Sequence, residues 1–178
     1  MSPDTYRNRV NALAIITSAA FFGANLFIGA SMGVYWLGLA PADFVAQFFP
    51  QFNNFLYTIM PLFIAMLVGL ILSARLDWRN APARRNWVIA LWLYLVLSLI
   101  TILYHMPLNV RLATAVGSPL GDVLDFYKSI ALTGPVTEEN SATIRTLWVL
   151  GHIPRVLITL AISVYALRAL AASQQAQT

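Results

Sequence analysis

The sequence predicts an all-α, integral membrane four-helix bundle formed by one domain, residues 1–178. Of the 178 residues, 59% are hydrophobic and only 10% are charged, and the mean hydropathy is +0.70. Soluble domains carry about 25% charged residues, so this chain has too little polar surface to cover a water-soluble globule. Four apolar stretches are each long enough to cross a bilayer core, which takes about 20 helical residues. We expect a multi-pass protein of the plasma membrane, or of the inner membrane if the source is bacterial.

The first apolar stretch predicts a helix over residues 10–39, and the second predicts a helix over 55–74. A secretory signal peptide has an apolar region of only about 7–15 residues, so the first stretch is too long for one and is interpreted as a retained helix. The residues from Pro41 to Asn54 are aromatic and contain proline, and they are expected to form a short connection.

The third helix is predicted over residues 87–106, and the fourth over 138–170. Thr137 precedes two acidic residues and an asparagine, a pattern typical of a helix N-cap, so the fourth helix is expected to begin at Glu138. The long outer loop between these helices is expected to be partly helical, with a short interfacial helix between Val123 and Leu132.

The distribution of basic residues predicts that both termini are cytoplasmic. In a four-span chain, one side carries seven arginines, and the positive-inside rule assigns that side to the cytoplasm. These are Arg7, Arg9, Arg75, Arg79, Arg84, Arg85 and Arg168. The other side carries Arg111, Lys128, Arg145 and Arg155, together with five acidic residues.

Composition excludes several classes of function. With no cysteine in the chain, disulfides, thiolate metal sites and iron–sulfur clusters are ruled out. The net charge of +4 is explained by membrane topology, so nucleic acid is not expected as a partner. The expected partners are a hydrophobic small molecule and membrane lipid, and a homo-oligomer is left open.

Polar residues within the predicted spans are candidates for a functional site, because they are costly in a bilayer. Two helices carry polar residues at the three- and four-residue spacing that places them on one face. The third has Tyr94, Ser98, Thr101 and His105, and the fourth has Arg145, Trp148, His152, Arg155, Thr159 and Ser163.

The polar ends of all four helices are expected to meet at the outer leaflet. His105 and His152 lie near the outer ends of their helices. The first helix ends on the same side with Tyr35 and Trp36, and the second begins there with Asn53, Asn54 and Tyr57. We therefore predict one polar pocket that is open towards the outer interface. The competing interpretation is structural: Tyr35, Trp36 and Trp148 would belong to an aromatic belt, and the histidines would be satisfied packing residues.

Three motifs resemble the anthrone-oxygenase-like family of small four-helix membrane proteins. They are the segment 106–112 (Met-Pro-Leu-Asn-Val-Arg-Leu), Trp148-x-x-x-His152-x-x-Arg155, and the small-residue segment 29–35 before Pro41. Together they cover nearly the whole chain in order. One departure is the Ile153–Pro154 pair between His152 and Arg155, which puts the local helix geometry in doubt.

The resemblance implies oxygenation of an anthrone-type ketone to a quinone, with molecular oxygen as the co-substrate and no firmly expected cofactor. His105 or His152 would be the base, and Arg155 or Arg111 would stabilise the enolate. The other candidates would orient the substrate or stack on it. They are Asn109, Asn54, Tyr57, Thr101, Trp148 and Tyr35.

Two other functions compete with this one. His105 and His152 would suit an oxidoreductase that binds haem or copper, with the two imidazoles as metal ligands. A protein that binds lipid or quinone without catalysis would also use an apolar slot with a polar lip. A transporter is less well supported, because the chain has no inverted repeat.

Overall fold

A computed structural model describes residues 3–175, which form helices and turns and contain no strand. Four helices are long and apolar enough to cross a membrane, so the chain is an integral membrane protein. They are α1 (Asp4–Gly38), α2 (Pro41–Leu76), α3 (Ala81–Ala115) and α6 (Glu138–Gln175). Two single-turn helices, α4 (Leu120–Val123) and α5 (Phe126–Ser129), lie between α3 and α6. The predicted fold class is confirmed.

The second helix begins at Pro41, so the expected connection from residue 41 to 54 is helical instead. Proline is favoured in the first turn of a helix, and Asp43 follows it where an acidic side chain interacts well with the helix dipole. Phe44, Phe48 and Phe52 then recur every four residues and contact one another in sequence. Aromatic packing on one face thus accounts for this part of α2.

Two π-helical turns interrupt the membrane helices, one at Phe27–Met32 in α1 and one at Thr101–His105 in α3. In the second, the backbone N–H of Met106 donates to the carbonyl of Thr101. This wider turn precedes Pro107, which cannot donate a backbone hydrogen bond, and α3 continues beyond the proline to Ala115. His105 is the last residue of the turn.

The predicted N-cap of the fourth helix is confirmed. The Thr137 backbone N–H donates to Asn140 Oδ1 over 2.8 Å, and the Asn140 N–H donates to Thr137 Oγ1 over 3.3 Å. This reciprocal pair is a capping box with asparagine in place of the usual glutamate or glutamine. The loop before it contains α4 and α5 in place of a single interfacial helix.

The chain divides into two compact units, each with stretches of all four long helices. Unit 1 comprises Met1–Asn25, Thr58–Leu97 and Val156–Thr178, and unit 2 comprises Leu26–Tyr57 and Ser98–Arg155. In unit 1, the rings of Phe63 and Tyr94 stack with centroids 4.5 Å apart. Gly69 allows the α2 backbone to approach Ala14, because a Cβ there would lie 2.8 Å from the Ala14 Cα.

Unit 1 contains a buried carboxylate that the sequence analysis did not single out. Asp77 is 1% exposed. Its oxygens accept hydrogen bonds from Asn11 Nδ2 (3.1 Å), Trp87 Nε1 (2.8 Å) and Ser173 Oγ (2.9 Å). These donors come from α1, α3 and α6, so one side chain joins three helices to the end of α2. Buried charge is tolerated only with this degree of satisfaction.

Candidate functional site

The candidate site is built around the only two histidines of the chain, both in unit 2. His105 and His152 lie on α3 and α6, and their ring centroids are 5.4 Å apart with the planes at 89°. Both side chains are buried, at 0% and 2% exposure. The structure therefore brings together the two polar stripes that the sequence predicts, at the two histidines.

The ring nitrogens of His152 have no hydrogen-bond partner among the described residues. Both are buried and unpaired, and so is Nε of Arg155, whereas the His105 ring interacts with the backbone of Ile100 and Trp148. Buried polar groups are normally hydrogen-bonded, because leaving one unpaired costs about 1–3 kcal/mol. The His152 ring and the Arg155 guanidinium therefore keep unused hydrogen-bonding capacity inside the cluster.

Trp148 packs against both histidines and is held in place by Asn109. Its indole stacks on the His152 ring at 4.8 Å and 27°, and lies 5.7 Å from the His105 ring. Its Nε1–H donates to Asn109 Oδ1 over 2.7 Å. Since Trp148 is 1% exposed, it does not belong to an aromatic belt at the membrane surface.

An aromatic cluster of α1 and α2 residues lies on the other side of Trp148. The rings of Trp36, Phe48 and Phe52 have centroids 5.1, 4.9 and 5.9 Å from that of Trp148. This cluster was not predicted from sequence, because Trp36 was placed at the outer polar pocket or, alternatively, in an interfacial belt, and the phenylalanines in a connection. Trp36 is buried and donates its Nε1–H to Gln51 Oε1 over 2.9 Å. The four-residue spacing of the phenylalanines was the signal for it.

Arg155 follows His152 by one helical turn and is 8% exposed. Its charge interacts electrostatically with both imidazoles. Pro154 lies inside α6, and the helix continues through it without a break. The departure noted in the sequence motif therefore leaves His152 and Arg155 on one continuous helix.

Tyr104 lies beside the histidines, at the edge of an apolar groove. Its ring centroid is 5.1 Å from that of His105, and its hydroxyl donates to the Leu147 carbonyl over 2.6 Å. The groove has a volume of about 410 Å³ and is lined by Ile100, Tyr104, Leu150, Gly151 and Pro154. Three of its lining residues, Tyr104, Gly151 and Pro154, directly precede His105, His152 and Arg155 in the chain.

The sequence profile of the anthrone oxygenase family matches residues 48–165, which is more than half of the chain. The chain belongs to this family. The matched range includes both histidines, Trp148 and Arg155. Comparison with curated proteins and with solved structures gives no match.

Several site residues predicted for an anthrone oxygenase lie away from the histidine pair. Tyr35, Asn54 and Tyr57 are exposed, and the Tyr35 hydroxyl donates to Gln47 Oε1 over 2.8 Å. Arg111 donates to the Lys128 carbonyl over 2.8 Å. Thr101 is half-buried in the π-helical turn that ends at His105. The structure thus brings together a smaller set than predicted: His105, Asn109, Trp148, His152 and Arg155.

His105 and His152 are buried, so their rings do not face an open surface. Grooves in the described part of the chain, such as the one beside Tyr104, are lined by other residues, and the open pocket stays a prediction. The aromatic rings described above fill the space next to the two histidines. The site is a closed cluster, with the groove beside Tyr104 as its neighbour.

The site offers a metal ion two imidazole ligands, one from His105 and one from His152. Within residues 3–175, no group of three or more His, Cys, Asp or Glu side chains could hold a metal ion. A metal bound between His105 and His152 would need other ligands, such as water or substrate, to complete its coordination.

Proposed function

We propose that this member of the anthrone oxygenase family is a membrane-embedded oxygenase. Its substrate would be a hydrophobic, polycyclic aromatic ketone of the anthrone type, and molecular oxygen would be the co-substrate. The observation that carries the proposal is the buried pair His105 and His152, with ring centroids 5.4 Å apart and with both His152 ring nitrogens unpaired. The family match supports the class of reaction.

The reaction requires a base more than it requires a redox group. An anthrone carries a methylene group opposite its ketone, and removal of one of these protons gives an electron-rich enolate. This carbanion forms a C–O bond to oxygen and yields a peroxide. Loss of the second methylene proton with cleavage of the O–O bond leaves a carbonyl and one water. In total, CH₂ and O₂ become C=O and H₂O.

The residues of the closed cluster suit these steps. A neutral imidazole nitrogen without a hydrogen-bond partner is free to accept the methylene proton. The guanidinium of Arg155, fixed on the same helix as His152, would stabilise the enolate oxygen, and such electrostatic stabilisation is strongest in a buried site. Which histidine is the base stays open.

The flat aromatic side chains of the cluster favour a flat aromatic substrate. Trp148 would offer one face to the substrate, and Trp36 and Phe48 would exclude water from the enolate. We expect the substrate to arrive from the bilayer through the groove beside Tyr104, because a polycyclic ketone partitions into lipid. Displacement of Tyr104 would then open the way to His105.

The proposal is tested by oxygen consumption and quinone absorbance with anthrone, using the full chain purified in detergent. Replacing either histidine, by His105→Gln or His152→Gln, should lower the rate by about 100-fold or more, the usual contribution of a general base. Arg155→Gln should also lower kcat. The exposed Arg79→Gln variant removes a charge of the same kind outside unit 2 and should keep the wild-type rate.

Three results would contradict the proposal. One is wild-type protein that consumes no oxygen with anthrone, and another is a pair of folded histidine variants with unchanged rates. The third is anthrone binding that the histidine variants lose in a protein with no turnover, which would indicate the non-catalytic binding protein. Elution volume in size-exclusion chromatography verifies that each variant is folded.

The metal-binding alternative is favoured by one specific observation: neutral imidazole nitrogens without partners are also good metal ligands. Elemental analysis and an absorption spectrum of the purified protein separate the two schemes. Copper or haem in stoichiometric amount, lost from both His105→Gln and His152→Gln, would make the histidines ligands in place of bases.

A further inference from the structure

A groove in unit 1, remote from the histidines in sequence, has two cationic side chains in its lining. It has a volume of about 520 Å³ and is lined by residues at the start of α3 and near the end of α6. These are Ala81, Pro82, Arg85, Asn86, Ile89, Tyr165 and Arg168. The two arginines come from different helices, and no acidic residue contributes to the lining.

Both guanidinium groups are available to a ligand. Among the described residues, neither Arg85 nor Arg168 has a carboxylate within ion-pair distance. The Arg168 guanidinium lies over the Tyr165 ring, 5.5 Å from its centroid, which orients it without neutralising its charge. Two cations around one groove, with no described carboxylate within ion-pair distance, attract a group with negative charge.

The position of the groove along α3 matches the depth of a lipid headgroup. Arg85 lies in the second turn of a helix that begins at Ala81 and is long and apolar enough to span the membrane. Ile89 is one turn deeper. Next to it along α3 comes a second, apolar groove of about 260 Å³, lined by Val88, Leu91, Trp92 and Leu95. Charge at the helix end followed by an apolar groove is the order of groups in a phospholipid.

We propose that the groove lined by Arg85 and Arg168 binds the phosphate of an anionic phospholipid, such as phosphatidylglycerol. An acyl chain of the same lipid would continue along Ile89 towards Trp92. The two guanidinium groups donate charge-assisted hydrogen bonds to the phosphate oxygens. The amide of Asn86 and the hydroxyl of Tyr165 line the same groove and suit the glycerol hydroxyls.

Two features favour this occupant over others with a phosphate group. A zwitterionic lipid such as phosphatidylcholine would bring its positive choline group towards the two arginines, whereas phosphatidylglycerol has no positive group. Free inorganic phosphate would gain nothing from the apolar groove of α3. The site is independent of the proposed oxygenase reaction, and its test needs no substrate.

The test is native mass spectrometry of the full chain in detergent, titrated with dioleoyl phosphatidylglycerol or dioleoyl phosphatidylcholine. We expect wild-type protein to retain phosphatidylglycerol preferentially. Removing both charges in Arg85→Gln/Arg168→Gln should weaken phosphatidylglycerol binding at least about tenfold, since a charge-assisted hydrogen bond to the phosphate contributes roughly a factor of ten or more to affinity. Phosphatidylcholine binding should be unchanged.

The matched control is Arg9→Gln/Arg79→Gln, which removes two exposed charges from outside the groove. It should bind phosphatidylglycerol within about twofold of wild type, because charges that do not contact the phosphate act on it only through screened long-range attraction. Equal losses in both double variants would overturn the site in favour of general charge attraction. Unchanged binding in Arg85→Gln/Arg168→Gln would overturn it as well. Full displacement of the lipid by millimolar inorganic phosphate would identify a free-anion site instead of a lipid site.

Discussion

At the scale of single residues, the decisive feature is the buried histidine pair, because burying polar groups without hydrogen bonds costs free energy. Both ring nitrogens of His152 are buried and unpaired, and the His105 ring lies against the His152 ring with the centroids 5.4 Å apart. Asp77 shows the opposite arrangement, with three donors around one carboxylate. Asp77 is thus a buried polar group held by side chains of several helices, whereas the histidine cluster combines unpaired nitrogens with a neighbouring guanidinium.

Gly151 is the residue whose replacement should disturb the site most specifically. A Cβ at this position would overlap the ring of Tyr104. We expect Gly151→Ala to destabilise the protein by about 1–3 kcal/mol, the usual cost of overpacking, even though alanine favours helices more than glycine does. Unfolding in mixed detergent micelles measures the effect.

The matched control for Gly151→Ala is Gly23→Ala. Gly23 is also helical, and a Cβ there would have no atom within 4 Å, so alanine should stabilise the helix by up to about 1 kcal/mol. Adding Tyr104→Leu to Gly151→Ala should recover part of the lost stability, because the smaller side chain makes room. Equal stabilities for the two glycine variants would contradict the close approach of Tyr104.

Part of the site could be predicted from sequence, because helical spacing aligns His152 with Trp148 and Arg155 on one uninterrupted helix. The outward position of Tyr35 could not be predicted from sequence. A π-helical turn inserts one extra residue, which rotates all following side chains by roughly 100°, and such a turn precedes Tyr35 in α1. Asp77 was missed for another reason: an acid in a turn is solvated unless distant donors converge on it.

At the scale of elements, the helices run further than their hydrophobic segments. Pro107 indicates a helix end at residue 106, since proline disfavours a helical residue before it, yet α3 continues to Ala115. The π-helical turn at Thr101–His105 accommodates the proline by changing the hydrogen-bond pattern before it. Local adjustments of this kind depend on backbone geometry, which a hydropathy profile does not show. The cap at Thr137 could be predicted from sequence, because its residue types are typical of helix starts.

The capping box at the start of α6 provides a prediction at this scale. Thr137→Ala removes the acceptor for the Asn140 N–H, and should destabilise the protein by about 1 kcal/mol. Asn140→Ala removes the acceptor for the Thr137 N–H and should cost a similar amount. Because the two bonds form one structure, the double variant should lose less than the sum of the two.

Thr146→Ala is the matched control for the capping variants. Thr146 is exposed within α6 and its hydroxyl donates back to the Ala142 carbonyl, an interaction that adds little to a helix. Its replacement should leave stability unchanged or slightly higher. Strictly additive losses at Thr137 and Asn140, or a loss at Thr146 as large as either, would argue against a reciprocal cap.

At the scale of the whole molecule, the arrangement of charge predicts how the chain lies in the membrane. Of the eleven basic residues, seven lie at the N-terminus, in the α2–α3 turn region and near the end of α6. Neither α2 nor α3 has a charged residue in the middle of its span. Because basic residues are retained on the cytoplasmic side during insertion, both termini and the α2–α3 turn should be cytoplasmic, and α4 and α5 should be external.

The absence of cysteine from the natural sequence makes this orientation testable with single introduced thiols. Ser129→Cys places a thiol on exposed α5, and Ala81→Cys places one at the exposed start of α3. Neither substitution alters the charge that sets the topology. In intact cells, a membrane-impermeant maleimide should label Ser129→Cys and should label Ala81→Cys only after permeabilisation. The reverse labelling pattern would show that the protein has the opposite orientation in the membrane. The arginines of the proposed lipid site would then lie in the outer leaflet.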